Sequence, residues 1–134
     1  METMPQTSLD VVHAFFAAMT TLDYDTGLSY VSADCEYDNV PLPAFKVHGP
    51  DEVRAVLEPF FAPSLENEFV IQREAATGPV VFIERLDRHR LESGWIELPA
   101  SGVFEVHDGL ITLWRDYFDL ATIQPMLDAA GLAF

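Results

Sequence analysis

A single cysteine, Cys35, stands in a chain of 134 residues. One thiol cannot close an internal disulfide, and no Cys/His cluster offers the ligand spacing of structural zinc. A reducing cytoplasm is the expected compartment. Positive charge is scarce too: 7 Lys and Arg against 22 Asp and Glu give a formal net charge of -15. Such a surface repels nucleic acid and anionic lipid, which leaves small molecules as the expected partners. No run of about eighteen apolar residues occurs, so no membrane span is expected. The polar stretch from Met1 to Asp10, which contains Pro5, has neither a basic nor an apolar signal segment. Internal repeats and low-complexity linkers are missing as well. With 49% hydrophobic residues, the expectation is one soluble, untargeted domain over residues 1–134 with one sizeable core.

What is present is periodic. Leu9, Val12, Phe15, Phe16 and Met19 recur at three- and four-residue steps behind Thr7 and Ser8, which predicts a first helix. A short second helix is expected from Asp23 to about Tyr30. A first strand follows, about Ala33 to Val40, stopped by Pro41 and Pro43. Gly49-Pro50-Asp51-Glu52 opens a third helix striped by Val53, Val56, Leu57, Phe60 and Phe61 and ending near Pro63. Four strands are then expected, Glu68 to Ala75, Val80 to Arg90, Gly94 to Val106 and Leu110 to Phe118, with Asp108-Gly109 as a hairpin turn. Asp119 caps a last helix that ends near Gly131. Helices, a strand, a helix and then a run of strands predict an α+β fold, with helices covering one face of a curved sheet and a cone-shaped pocket between them.

Polar residues interrupt three of the strands. Side chains at i and i+2 share a face, so Tyr37 pairs with Asn39, and Arg85 joins Asp87 on the face of Val81 and Ile83. Asp116 shares its face with Trp114 and Phe118, while Arg115 and Tyr117 point the other way. Charges buried among Val, Ile, Phe and Trp cost several kcal/mol or more unless paired, which marks them as a candidate site. An arginine fork can hold two carboxylates at once. Two carboxylates in one cleft seldom both ionise fully, which gives an acid and a base side by side. Tyr37 and Asn39 are able to hold a water beside them, and this layout suits opening a strained ring in one step.

The segments Tyr37-Asp38-Asn39-Val40-Pro41, Arg85-Leu86-Asp87 and Trp114-Arg115-Asp116-Tyr117-Phe118-Asp119 resemble, in order and spacing, the three active-site segments of the limonene-1,2-epoxide hydrolase family. The wider layout resembles the NTF2-like or SnoaL-like superfamily. That resemblance implies a cone-shaped NTF2-like fold, its curved, mainly antiparallel sheet packed on N-terminal helices. It implies that Asp116 deprotonates a water held also by Tyr37 and Asn39, that Asp87 protonates the epoxide oxygen and that Arg85 bridges the two acids. It further implies an epoxide and water as substrates, no cofactor and a homodimer, for which strand residues around Trp95 and Ile96 offer a surface. The many apolar residues make the epoxide an apolar one, terpene, sterol, fatty or aromatic, and no spacing recommends a metal site.

Each residue also has a plainer reading. Arg85 and Asp87 alone read as a cross-strand ion pair on a solvated face, Tyr37 as a core aromatic and Asn39 as a turn residue. Cys35 shares a face with Tyr37 but has no histidine beside it, which reads as an inert buried thiol. His13, His48, His89 and His107 are scattered along the first helix, a loop and the flanks of turns, as surface or satisfied core residues. Phe15, Phe16, Phe60 and Phe61 read as core, some of them at the pocket mouth. Two other functions share the fold: a ketosteroid-isomerase-like or cyclase-like enzyme, and a non-catalytic module that sequesters an apolar ligand.

Overall fold

Thr7 starts the first helix by a reciprocal cap: its hydroxyl accepts from the Asp10 backbone N–H at 3.1 Å, and the Asp10 carboxylate accepts from the Thr7 N–H at 3.1 Å. The computed structural model describes residues 6–133, so half of the polar stretch read from Met1 to Asp10 lies outside the described residues. Helix α1 (Ser8–Thr20) buries Val12, Phe15, Phe16 and Met19 of the expected stripe and adds Val11, while Leu9 in its first turn is only half-buried. The short α2 (Tyr24–Leu28) follows Asp23, whose carboxylate accepts from the Thr26 N–H at 3.2 Å.

Strand β1 (Val31–Asn39) starts two residues earlier than its alternation indicates. Its pairing slips between Val31 and Glu36, where the buried-exposed alternation is also broken. A two-residue strand, β2 (Val47–His48), pairs with Glu36 and Tyr37 of β1 and falls outside the expected elements, because two residues carry no alternation to read. Helix α3 (Gly49–Phe61) follows at once, with Asp51 and Glu52 in its positive first turn.

Four long strands complete the sheet: β3 (Glu66–Thr77), β4 (Val80–Leu91), β5 (Gly94–His107) and β6 (Leu110–Tyr117). Their bounds differ from expectation by one or two residues. Asp108 and Gly109 take φ of 52° and 76°, the two positive values that a tight hairpin between β5 and β6 requires. Pro99 is tolerated within β5 because β6 ends opposite Ser101, which leaves no partner on that side for the N–H that proline lacks. Helix α4 (Leu120–Ala130) begins after Asp119, whose carboxylate takes the Thr122 hydroxyl at 2.5 Å instead of a helix N–H.

The sheet order is β2-β1-β6-β5-β4-β3, all antiparallel except the parallel pair β1–β6. The sheet is mixed and open, and the fold is α+β. The main core lies where α1 and α3 meet the inner sheet face, around Phe15, Met19, Val53, Ile83, Phe104 and Ile111. A smaller cluster of Leu91, Leu98, Ile123 and Leu127 seats α4 against the β4–β5 end. Truncating one such phenylalanine to alanine costs about 3–5 kcal/mol. No helix among the described residues is long and apolar enough to cross a membrane.

Candidate active site

Alternation along β4 buries Val81, Ile83, Arg85 and His89, while Phe82 is half exposed and Leu86 turns outward. Arg85 is only 2% exposed, yet its guanidinium is engaged on two sides. Nε and Nη2 donate to the two oxygens of Asp87, each at 3.0 Å. Nη1 and Nη2 donate to those of Asp116 at 3.0 and 3.1 Å. The Phe16 ring lies under the guanidinium, 4.8 Å from its centroid. Burial alone would lower the Arg85 pKa. The charges of Asp116 and Asp87 and the hydrogen bonds to both outweigh it and hold the pKa well above the ordinary value, so the cation is fixed.

Asp116 reaches this point from β6 and carries a third donor, the indole Nε1 of Trp114, at 2.8 Å from Oδ1. Oδ1 therefore accepts two hydrogen bonds and Oδ2 one, which leaves Oδ2 with room for another donor. Space for the guanidinium comes from Gly102, the cross-strand partner of Asp116. A Cβ there would lie 2.7 Å from Nη1 of Arg85, 2.8 Å from Phe104 and 3.0 Å from Oδ1 of Asp116. Sequence reasoning singles out neither the Trp114 bond nor Gly102. Shared strand parity with Asp116 is the signal for the first; the second has none.

Tyr37 and Asn39 arrive from the far end of the chain order. The parallel pairing sets Tyr37 beside Trp114 and Asn39 beside Asp116, with the Tyr37 and Trp114 rings stacked at 4.0 Å. Asn39 Nδ2 donates to the Tyr37 hydroxyl at 3.2 Å, which leaves the hydroxyl proton free to donate elsewhere. Burial above all, then the Asp116 charge, raises the Tyr37 pKa, so the phenol keeps its proton. Cys35, on the same face, is buried, and burial with the nearby Asp34 and Glu36 charges pushes its thiol up to about 12, an inert group at neutral pH. Arg115 faces the other way and donates to Glu36 at 3.0 Å.

All five residues, Tyr37, Asn39, Arg85, Asp87 and Asp116, border one cavity of about 660 Å³, counting the part open to solvent. Phe15, Phe16, Phe60 and Phe61 line it, so the aromatic stripes are core and pocket wall together. His89, read as a residue flanking a turn, lies inside β4 and borders the same cavity. Among the described residues no three His, Cys, Asp or Glu side chains are grouped as metal ligands.

An open mixed sheet wrapped on α1 and α3 around such a cavity is the NTF2-like and SnoaL-like fold. A SnoaL-like protein from Shewanella denitrificans OS-217 superposes with a TM-score of 0.80 at 20% identity, covering 91% of this chain and 97% of its own. The model of the limonene-1,2-epoxide hydrolase catalytic domain matches residues 6–129. Epoxide hydrolase EphG of Mycobacterium tuberculosis is 34% identical over 124 residues, 89% of this chain and 81% of its own length. A solved LEH-like epoxide hydrolase from M. tuberculosis is 32% identical with a TM-score of 0.78, covering 94% of both chains. The chain belongs to the limonene-1,2-epoxide hydrolase family, and this membership supports epoxide hydrolysis as its general chemistry.

Proposed function

We propose that this chain is a cofactor-independent epoxide hydrolase that adds water to an apolar epoxide in one step, giving a vicinal diol. The observation that carries the reading is a single buried guanidinium hydrogen-bonded to two carboxylates at 3.0–3.1 Å on the wall of an apolar cavity, beside a Tyr–Asn pair. A water held by Asn39, the Tyr37 hydroxyl and Oδ2 of Asp116 loses its proton to Asp116 as its oxygen attacks an epoxide carbon. The carbon–oxygen bond on the opposite side breaks, and Asp87 gives its proton to the departing oxygen. One proton then returns from Asp116 to Asp87, which Arg85 joins. No ester to the protein forms, so the incoming oxygen belongs to water.

An isomerase or cyclase of the same fold needs one base and neutral donors at the developing enolate oxygen, and an arginine clamped between two acids has no part in that chemistry. A passive binding module would leave the buried ionic triad unexplained. The family resemblance also carries a homodimer, which sedimentation at micromolar concentration tests. The function is tested by diol formation from a panel of apolar epoxides, small cyclic terpene oxides to sterol and fatty oxides, with Asp116→Asn in parallel. The expected loss is on the order of a thousandfold in kcat with the circular dichroism unchanged. Near-normal turnover by Asp116→Asn sinks the mechanism. In ¹⁸O-labelled water, the first turnover should label the diol.

A further inference from the structure

Outside the five residues assigned to the reaction, one side chain on the cavity wall is strongly polar: His89. It stands two positions beyond Asp87 on the same face of β4, about 6.6 Å along the strand, among Phe60, Phe61 and Phe69, whose ring centroids are 6.2, 5.3 and 5.8 Å from its own. His89 as a whole is 2% exposed. Its Nδ1 meets Oδ1 of Asn67 at 2.7 Å, directly across the β3–β4 pairing. An amide oxygen only accepts, so Nδ1 carries the proton in this contact. Burial lowers the His89 pKa despite the opposing charge of Asp87, so the ring is neutral and Nε2 holds a lone pair. Among the described residues no donor meets Nε2. Every fully buried side-chain N or O among the described residues has a hydrogen-bond partner, so Nε2 keeps some open surface, and His89 lines the cavity.

We infer that His89 is a recognition residue for a hydroxyl group on the substrate, so that the preferred substrate is an apolar epoxide that also carries an alcohol a few carbon atoms from the ring. The inference rests on the hydrolase reading of the site and adds the substrate class to it. Tying β3 to β4 does not by itself account for the residue. An apolar pair at positions 67 and 89 would hold the strands without burying an imidazole and a carboxamide. The Asn67 contact fixes the tautomer and the three phenylalanines fix the ring plane, which presents one acceptor on a stretch of wall otherwise built of Phe60, Phe61 and Phe69. A hydrocarbon epoxide leaves that acceptor unpaired when it displaces water, whereas a hydroxylated one satisfies it.

The test uses perillyl alcohol, a cyclic monoterpene alcohol, and its methyl ether, which keeps the oxygen but cannot donate. Binding is measured by titration calorimetry and by the ¹⁵N resonances of the histidine rings. The expected result is about three- to tenfold tighter binding of the alcohol. The Nε2 resonance of His89 should move with the alcohol and not with the ether, and the preference should vanish in His89→Leu. Equal affinities, an unmoved Nε2 resonance in the wild-type protein or binding of neither probe overturns the proposal. The wild-type resonance decides the matter even where His89→Leu does not fold. Diol formation from the panel of terpene, sterol and fatty oxides, hydroxylated members included, by the same preparation separates the two readings. Turnover without discrimination removes the hydroxyl site alone, and discrimination without turnover of any epoxide removes the hydrolase reading.

Discussion

Arg73 on β3 and Arg85 on β4 are both paired with acids, and by distance the Arg73 pair is the tighter. Arg73 meets Glu84 at 2.6 Å, whereas Arg85 meets its two aspartates at 3.0–3.1 Å. Their surroundings reverse that order. The Arg73 side chain is 82% exposed and that of Arg85 is 2% exposed. In water the Coulomb gain is screened and two long side chains lose rotamer freedom, so the outer pair contributes at most about 1 kcal/mol. Inside, removing one partner leaves charge with nothing to solvate it, which costs about 3–5 kcal/mol. The outer face of the sheet therefore uses arginine for solubility and the inner face uses it to fix geometry. Burial, and not contact length, separates the two.

The sharpest way to break this contrast is Arg85→Ala. It should lower stability by about 3–5 kcal/mol in urea unfolding and abolish diol formation, because two carboxylates are left uncompensated. A stable, active Arg85→Ala protein would put the arginine outside the working site. Gly102→Ala keeps every charge and presses only on the space the guanidinium occupies; we expect about 1–3 kcal/mol of destabilisation, with activity lost beyond what the stability change explains. Trp114→Phe keeps the ring stack and removes one donor to Asp116. A hydrogen bond to a charged group is worth about 1.5–3 kcal/mol, so kcat should fall by roughly tenfold or more in steady-state assays.

A pH titration tests the inner face with a smaller effect. The His89 pKa is lowered in the folded protein, so the unfolded chain binds the extra proton first. Its contribution is present above the unfolded value of about 6.5 and is lost as pH falls from there toward the folded pKa. The wild-type Tm should therefore fall more steeply than that of His89→Leu between neutral pH and pH 5, and parallel curves would refute a buried neutral imidazole. On the outer face, Arg73→Ala should change stability by less than about 1 kcal/mol and leave the rate of diol formation as it is.

The five polar residues are legible in the amino-acid sequence because strand parity is a local property. Arg85 and Asp87 have to share a face, Asp116 has to share one with Trp114, and charges among Val, Ile and Phe need partners. His89 obeys the same parity but looks ordinary, because a lone histidine near a turn has many harmless placements. Gly102 gives no signal, since its importance lies in how closely Arg85 approaches it from the neighbouring strand. The short β2 is equally silent.

By itself the amino-acid sequence determined the helices, the five longer strands, the Asp108-Gly109 turn and the face that Arg85, Asp87 and Asp116 share with their apolar neighbours, because periodicity and capping act within a few residues. The tertiary structure decided that β1 lies parallel beside β6, which puts Asn39 next to Asp116, and that Asn67 stands behind His89. Those pairings join residues far apart along the chain. They are set by which apolar faces bury one another best, a choice the whole chain makes at once and no local pattern records.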